Sequence, residues 1–501
     1  MLARAIHALP RGCLAALCAV VGIQGCGSDT SPTTPPSAGF SISIGASAFS
    51  VTQGTSTSTP VLTTRTGGFA AAVTYTVSGA PTGLTVGIAN TTKEDSSTLN
   101  ISASTGLVAG NYSLVLVANA TGLASQERTF VVTVNAAVPT GTPTFFKSLV
   151  AGDAMSCVLT AVRTAYCWGL NANGQMGTGA TLATNPVPVA AGGGLTFETL
   201  SIPTIGHFAC GVAVGGTAYC WGANDVGQLG DSTTTQRLVP TPVAGGSKYL
   251  TISVGEHHAC GLTLDSVAHC WGLNTYGALG DGTVSPRLTP VVAQPGMTFT
   301  SIVAGNDFTC GLTAAGAAHC WGLGIFGQLG NGDNDSSINA VAVSGGLTFS
   351  SLAAGGLDVC GLTASGAAYC WGHNFYGEVG DSTTTLRLAP VPVAGGHTFI
   401  ALAGGFEHFC GVAVGGAAYC WGYNESGIIG DGTFEHRSSP SPVVGGFKFR
   451  DIAVGNGHAC AITESNAASS NEVYCWGTNG NGELGDGTTT RSAGPFEVRF
   501  P

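Results

Sequence analysis

The sequence predicts an all-β protein in which a seven-bladed β-propeller follows a small β-sandwich. Its 501 residues are too many for one ordinary core, so at least two domains are expected. The chain contains 78 glycines and only 9% charged residues, which suits tight turns and fits poorly with long solvated helices. All seven tryptophans lie in Cys-Trp-Gly triplets that recur from residue 167 onward. The part before them alternates apolar and polar residues in short runs.

Residues 1–25 are expected to be a lipoprotein signal peptide. Arg4 and Arg11 supply positive charge, and the apolar run at 14–23 is too short to span a bilayer. The sequence Ile-Gln-Gly-Cys at 23–26 resembles the lipobox of bacterial lipoproteins, which implies that Cys26 carries the lipid anchor in the membrane. Gly27, in place of an aspartate, implies an outer-membrane or cell-surface location. An ordinary cleaved signal with a chance cysteine is the alternative.

A tether, a sandwich and a linker are expected to follow. Residues 26–39 are rich in Ser, Thr and Pro and cannot pack a core. Residues 40–136 contain alternating runs such as VTYTV at 73–77, with turn residues about every ten positions, which is typical of an antiparallel sandwich. The segments AGNYSLVLVANATG and RTFVVTVN resemble the immunoglobulin-like spacer domains of bacterial surface proteins. Residues 137–144 contain Pro139 and Pro143 and form the expected linker.

Residues 145–501 consist of one unit repeated seven times. The unit at 349–396 contains strand-like segments at 349–353, 359–363, 367–371 and 390–393, and four strands are what one propeller blade requires. Seven such units can close a ring, which removes exposed sheet edges. The markers of the repeat are Trp168, Trp221, Trp271, Trp321, Trp371, Trp421 and Trp476.

The repeat also carries a specific resemblance. The motif YCWGxNxxGxLGDGT, preceded by AVGxxHxCxLT and followed by PVPVxGG, resembles the regulator of chromosome condensation repeat family. The resemblance covers the repeated part of the chain and implies a seven-bladed propeller. The fourth unit departs from the pattern, because Gly324 replaces the usual Asn.

Fourteen of the 17 cysteines lie in the repeats, two in each. Six pairs are ten residues apart, so an intervening hairpin turn can place the two cysteines opposite each other on neighbouring antiparallel strands. Disulfides are therefore predicted, in keeping with export to an oxidising compartment. Zinc is the alternative, but Cys-x2-4-Cys knuckles are absent, so no metal is predicted. The pairs are Cys157 and Cys167, Cys210 and Cys220, Cys260 and Cys270, Cys310 and Cys320, Cys360 and Cys370, Cys410 and Cys420, and Cys460 and Cys475.

No catalytic constellation stands out, so neither an enzyme nor a cofactor is predicted. The sequence lacks a phosphate loop and a nucleophile elbow in a strand-to-helix context. His258, His408 and His458 occupy one repeat position, and we interpret them as packing residues, with a metal ring as the alternative. Another recurring position is interpreted as a turn aspartate, with calcium binding as the alternative. Its members are Asp231, Asp281, Asp381, Asp431 and Asp486.

The loop after each Trp-Gly varies most between the repeats. Large side chains gather there in units three to six, whereas units one and seven have small polar residues. Contiguous exposed aromatic residues are typical of binding surfaces, so a partner-binding patch is predicted. Packing between blades is the alternative role. The patch comprises Tyr276, Ile325, Phe326, His373, Phe375, Tyr376 and Tyr423.

These features favour an exported, non-catalytic scaffold for cell-surface binding or adhesion. Its expected partner is a protein or a glycan, and a monomer is expected. The formal charge of −11, with only 16 Lys and Arg residues, argues against nucleic-acid binding. One alternative is an enzyme inhibitor that resembles the secreted propellers that inhibit β-lactamases. Another is guanine nucleotide exchange, which the family resemblance implies but export and acidity disfavour.

Overall fold

The computed structural model describes residues 37–90, 95–104, 107, 110–135, 145–181, 183–464 and 471–500. The predicted signal peptide, Cys26, most of the tether and the linker at 137–144 lie outside these ranges. Within them, the helical structure is one 3-10 turn, Gly192–Gly194, and the remainder is strand, turn and loop. This confirms the predicted all-β class. No helix in the described ranges is long and apolar enough to cross a membrane.

The N-terminal part forms two four-stranded sheets. One has the strand order β1-β3-β6-β5 and the other β2-β8-β7-β4, with β2 parallel to β8. Their alternating apolar residues meet in one core that includes Ile42, Leu99, Leu114 and Phe130. The period-two pattern of the sequence therefore buries one side of each sheet. The strands are β1 Gly39–Ile44, β2 Ala48–Thr52, β3 Ser56–Thr66, β4 Val73–Ser78, β5 Leu84–Asn90, β6 Ser96–Ala103, β7 Gly110–Ala120 and β8 Gln126–Asn135.

The C-terminal part forms seven four-stranded antiparallel sheets, one for each sequence repeat. We number these blades 1 to 7. Their strands are, for blade 1, β9 Phe146–Ala151, β10 Met155–Thr160, β11 Ala165–Leu170 and β12 Thr184–Ala190; for blade 2, β13 Phe197–Ser201, β14 Phe208–Ala213, β15 Ala218–Gly222 and β16 Arg237–Pro242; for blade 3, β17 Tyr249–Val254, β18 His258–Thr263, β19 Ala268–Gly272 and β20 Arg287–Val292; for blade 4, β21 Ser301–Ala304, β22 Phe308–Leu312, β23 Ala318–Gly322 and β24 Ser337–Ala342; for blade 5, β25 Ser351–Ala354, β26 Asp358–Leu362, β27 Ala368–Gly372 and β28 Arg387–Pro392; for blade 6, β29 Phe399–Gly404, β30 His408–Ala413, β31 Ala418–Gly422 and β32 Arg437–Pro442; and for blade 7, β33 Phe449–Val454, β34 His458–Thr463, β35 Val473–Gly477 and β36 Ser492–Glu497.

The ring closes by packing blade 1 against blade 7. Strand β9 contacts both β33 and β34, and every blade takes its four strands from one continuous stretch of chain. The first strands of neighbouring blades contact each other, for example β17 with β21 and β21 with β25, so the first strand of each blade is the innermost. The predicted four strands per repeat are confirmed. In blade 5 the outer strand begins at Arg387, three residues before the segment predicted at 390–393.

The recurring tryptophans join each blade to the one before it. All seven are at most 1% exposed, and each indole Nε1–H donates to a backbone carbonyl of the preceding blade. Trp421 donates to Glu378 O at 2.8 Å, and Trp168 donates to Glu483 O at 2.7 Å across the closure. The glycine that follows this carbonyl by two residues has positive φ, and at Gly380 a Cβ would lie 2.7 Å from Trp421 Nε1. A glycine is therefore required where the loop crosses the indole.

The propeller cysteines form seven disulfides in the structure, one in each blade, consistent with the predicted pattern. The partners lie directly opposite each other on the second and third strands, as Cys360 does with Cys370. All fourteen cysteines are at most 1% exposed. Hairpin glycines such as Gly366 adopt positive φ, which lets the chain reverse between the bridged strands. The last bridge, Cys460 to Cys475, spans 15 residues and keeps the same opposed register.

Candidate binding face

Because the blade strands alternate in direction, two kinds of connection lie at each end of the ring. The loops from first to second strand and from third to fourth strand lie at one end, which we call the loop face. The hairpins from second to third strand and the connections between blades lie at the other end, which we call the hairpin face. The predicted aromatic patch lies on third-to-fourth-strand loops, and so belongs to the loop face.

In blades 2, 3, 5, 6 and 7, a buried asparagine and an aspartate hold the long loop of this face. In blade 2, Asn224 Oδ1 accepts from Leu229 N at 3.0 Å, and its Nδ2 donates to Thr233 O and Thr235 O. Asp231 accepts from Thr233 N at 3.0 Å and pairs with Arg237 at 2.7 Å. Burial alone would raise the pKa of Asp231, but the bonds from Thr233 and Arg237 outweigh it and lower that pKa. The same aspartate–arginine pair recurs in blades 3, 5 and 6.

Blade 4 holds its loop differently, which explains the sequence departure at Gly324. A Cβ at Gly324 would lie 2.0 Å from Asp335 O, so an asparagine side chain has no room there. Instead, Gly324 N donates to Ser336 Oγ at 3.1 Å. This altered loop carries Ile325 and Phe326, two members of the predicted patch.

Two of the three recurring histidines hydrogen-bond to the next blade. His258 Nε2 lies 3.0 Å from Thr309 Oγ1 of the next blade, and His458 Nε2 lies 2.7 Å from Ser156 Oγ across the closure. For His408 of blade 6, the equivalent partner position in blade 7 is Ala459, which has no hydroxyl group. Neither ring nitrogen of His408 has a hydrogen-bond partner among the described residues. Burial lowers the pKa of His258 to about 4 and that of His408 to about 3, so both rings are neutral near pH 7.

We expect Ala459→Ser to raise the free energy of unfolding by about 1 kcal/mol, because the new hydroxyl can bond to the orphaned His408 ring. By analogy with Ser156, which also contacts Glu483 O, the new hydroxyl would lie near Ile428 O. The reverse change, Ser156→Ala, should lower the free energy of unfolding by about 1–3 kcal/mol, since it leaves His458 unpaired. Urea unfolding measures both, and a destabilising Ala459→Ser would contradict this assignment.

The structure brings most of the predicted patch together. Phe375, Ile325 and Tyr276 are 61%, 51% and 42% exposed. Other members also pack between blades, which was the alternative role. The ring of Phe326 lies 5.3 Å from that of His373, and Tyr376 lies 5.1 Å from Tyr423. The patch therefore consists of an exposed layer supported by contacts between loops of adjacent blades.

Two residues alter the predicted composition of the patch. His373 is only 7% exposed and its Nδ1 lies 2.8 Å from Glu378 Oε1, so it supports Phe326 and Phe375 from beneath and offers little surface. Its assignment as a direct contact is corrected accordingly. His436, which was not predicted as a member of the patch, stacks on Tyr423 at 5.1 Å and contacts Tyr376. Its position thirteen residues after the loop residue Tyr423 was the signal that could have identified it.

The innermost loops of the loop face carry four carboxyl groups, which we call the axial carboxylates: Asp153, Glu256, Asp307 and Glu407. All four are partly exposed. Burial raises the pKa of Glu256, and the nearby carboxylates of Asp307 and Asp153 raise it further. Burial also raises the pKa of Asp307. Burial, and then the carboxylate of Glu378, raise the pKa of Glu407. The axis of this face is therefore crowded with acidic groups.

A polar cavity of about 440 Å³ lies beside the axis between blades 1, 2 and 3. Its lining includes Asp225, Glu256, His207 and His257, together with amide side chains such as Gln236. Neither Lys nor Arg lines it. Within the described ranges, no cluster of three or more His, Cys, Asp or Glu side chains is arranged to hold a metal ion. The cavity is therefore suited to a polar or cationic group by its hydrogen-bonding side chains.

The repeats and the fold match known proteins. A family profile described as the regulator of chromosome condensation (RCC1) repeat matches residues 215–262, 266–312 and 415–462, and a second of that description matches 250–278, 299–328 and 449–483. Human WBSCR16 is 17% identical with a TM-score of 0.59, over 69% of this chain and 93% of that one. Yeast RCC1 (Prp20), bound to Kap60, is 19% identical with a TM-score of 0.56, over 64% and 81%. Prp20p of Saccharomyces cerevisiae, studied for its binding to Gsp1p and histones, is 20% identical with a TM-score of 0.56, over 64% and 83%.

Proposed function

Because this chain carries regulator of chromosome condensation repeats folded as a seven-bladed propeller, we propose that it is a non-catalytic binding scaffold of the cell surface. The propeller fold supports a binding or scaffold role in general. The observation that carries the proposal is the exposed aromatic layer on the loop face, where Phe375, Ile325 and Tyr276 project from loops held rigidly by buried bonds. Large apolar side chains on a rigid support are typical anchors of protein interfaces.

We propose that the chain reaches this location by export and lipid attachment at Cys26, with the tether and the N-terminal sheets holding the propeller away from the membrane. Seven buried disulfides support an oxidising compartment, because thiols stay reduced in the cytosol. The lipobox-like sequence supports the anchor, and Cys26 lies outside the described residues. We further propose that the protein acts as a monomer and that its partner is a protein rather than a glycan.

Two other functions have less support. An inhibitor of a secreted enzyme would use the same aromatic layer, but membrane attachment would restrict its reach. Yeast Prp20p was studied for its binding to Gsp1p and histones, but the predicted export of this chain separates it from nuclear partners.

We expect charge placed in the aromatic layer to abolish partner capture. The test displays the full chain on cells through Cys26, cross-links it to surface partners, and compares Phe375→Asp combined with Tyr276→Asp against a matched control. Val414→Asp is that control, since Val414 is 66% exposed in a hairpin of the opposite face. Cys26→Ser should release the protein from the membrane while soluble capture persists.

The expected result is loss of the cross-linked partner in the double variant, by at least about tenfold, and retention in Val414→Asp. Equal capture by the double variant and the unaltered chain would overturn the loop-face proposal. Retention of Cys26→Ser on the membrane would overturn the anchor while leaving the binding role intact.

A further inference from the structure

We infer that the loop face docks a segment of a partner protein that is rich in lysine and arginine. This inference rests on the proposed function and names the chemistry of its partner. It depends on three features of the described residues: the scarcity of unpaired Lys and Arg on the loop face, the axial carboxylates that form no ion pair with Lys or Arg, and the aromatic layer beside them.

Lys and Arg side chains outside ion pairs are distributed unevenly between the two faces of the propeller. The arginines that begin β16, β20, β28 and β32 each pair with a loop aspartate, so they add no free positive charge to the loop face. Arg491 is the other Lys or Arg residue in the described third-to-fourth-strand loops. The hairpin face carries Lys147, Arg163, Lys248, Lys448 and Arg450, of which Lys147 and Arg163 both pair with Glu198. A basic segment therefore meets fewer unpaired Lys and Arg side chains on the loop face than on the hairpin face.

The axial carboxylates keep their negative charge largely uncompensated. In the described structure their ion-pair partners are histidines: His207 Nδ1 lies 3.4 Å from Asp153, and His257 Nδ1 lies 3.5 Å from Glu256. Neither Lys nor Arg forms an ion pair with any of the four in these ranges. Repulsion from Glu407 also reaches the buried Asp358, whose pKa is raised by burial and then by the carboxylates of Glu378 and Glu407. A docked ammonium or guanidinium group would relieve this repulsion.

The aromatic layer adds a second mode of binding to cations. Aromatic faces attract ammonium and guanidinium groups, and the apolar stems of Lys and Arg pack on exposed rings. The loop face already shows this contact within the chain, since the guanidinium of Arg491 lies 4.6 Å from the centre of the Phe434 ring. Phe375 is 61% exposed and free to accept a similar group. Tyr423 donates to Glu425 Oε2 at 2.9 Å, which places a carboxylate beside its ring.

The polar cavity offers a place for one long cationic side chain. It opens between blades 1 to 3, and Glu256 belongs both to its lining and to the axial carboxylates. Asp225, also in the lining, accepts from Gln228 Nε2 at 2.9 Å, which fixes its carboxylate. An extended segment lying across the axis could thus place one basic side chain in the cavity and others over the aromatic layer.

The test measures fluorescence anisotropy of a labelled peptide of alternating lysine and serine with the full chain. The variant is Glu256→Gln with Asp307→Asn and Glu407→Gln. Its control is Asp265→Asn with Glu472→Gln and Glu497→Gln, which removes as much charge from outside the loop face. We expect Kd to rise about tenfold in the variant and less than about twofold in the control. Matching thermal unfolding midpoints establish that both are folded, and Glu407→Gln alone serves as a milder variant.

The affinity for this peptide should also fall with added salt, and should fall on acidification at a higher pH than an ordinary glutamate pKa of about 4.3 implies. The affinity falls at this higher pH because the pKa values of Glu256, Asp307 and Glu407 are raised. Their carboxyl groups therefore become neutral at a higher pH than ordinary carboxyl groups do. Equal weakening in both triple variants would mean attraction by net charge alone and would overturn the inference. Tighter binding of a glutamate–serine peptide, a neutral glycan or phosphatidylglycerol vesicles would do the same.

The cell-surface experiment separates this inference from the function on which it rests. If the aromatic double variant loses the captured partner but the loop-face charge variant keeps it, the scaffold function stands and the basic partner is wrong. If both variants keep the partner, the loop-face function is wrong as well.

Discussion

Reduction of the seven disulfides is expected to abolish the cooperative unfolding of the propeller. Each bridge closes a hairpin loop, which stabilises the folded state by about 2–3 kcal/mol through loop-closure entropy. A folded domain has a net stability of only about 5–15 kcal/mol, so the stabilisation lost with all seven bridges exceeds the net stability of the propeller. Their cysteines are at most 1% exposed, so reduction requires mild denaturant to open the blades.

The measurement is a denaturant transition of the propeller signal, before and after complete reduction verified by mass. A single-blade variant, Cys360→Ala with Cys370→Ala, should lower the free energy of unfolding by about 2–3 kcal/mol. Untreated protein in the same denaturant is the control, and thiol titration of it should find the propeller cysteines unreactive. An unchanged transition after full reduction would contradict a structural role for the bridges.

Replacement of Asp358 by leucine should stabilise the protein most strongly at alkaline pH. Asp358 is 1% exposed, occupies the position of the blade histidines, and has no hydrogen-bond partner on either oxygen among the described residues. His258 is paired with Thr309 of the next blade. For Asp358, the equivalent position of the next blade is Phe409, which has no hydroxyl group. Leaving such a group unsatisfied costs about 1–3 kcal/mol, and more when it is charged. We therefore expect Asp358→Leu to raise the free energy of unfolding by about 2 kcal/mol at pH 8.

The pH dependence has a definite sign. Burial, and then the carboxylates of Glu378 and Glu407, raise the pKa of Asp358 well above its usual value. The folded state therefore holds this proton more tightly than the unfolded state, in which the pKa is about 3.9. The free-energy cost of burying Asp358 is small when the pH is below the pKa of the unfolded state. It grows as the pH rises through the pKa of Asp358 in the folded state. Asp358→Asn removes the charge without filling the site, so it separates the two effects. A destabilising Asp358→Leu at pH 8 would contradict this account.

Repeat spacing predicted the fold because every blade has the same packing requirements. The Cys-Trp-Gly triplet places one cysteine opposite another and one indole under the preceding blade, and both requirements recur with the repeat. The aspartates were recognised as turn residues, but their pairing with the arginines that begin the outer strands was not anticipated. That pairing joins residues six apart around a loop, so it is not revealed by the spacing of apolar residues typical of helices or of strands.

The binding face was harder to predict, because it depends on contacts between blades. The sequence identified large side chains in the loops, but whether they are exposed depends on the neighbouring loop. Phe375 projects, whereas His373, two residues earlier, is buried over Glu378. The axial carboxylates were missed for the same reason. They come from separate repeats and fall at the two variable positions of the AVGxxHxCxLT motif, so only the packing of the blades around one axis brings Asp153 near Glu256.

The claim that the loop face is the binding surface is tested most directly by hydrogen exchange of the full chain with and without its captured partner. We expect new protection in the loops that carry Tyr276, Phe326, Phe375 and Tyr423, and in the axial loops around Glu256 and Asp307. We expect unchanged exchange in the hairpins that carry Val414 and Leu264. Protection confined to those hairpins, with the loop face unaffected, would contradict it.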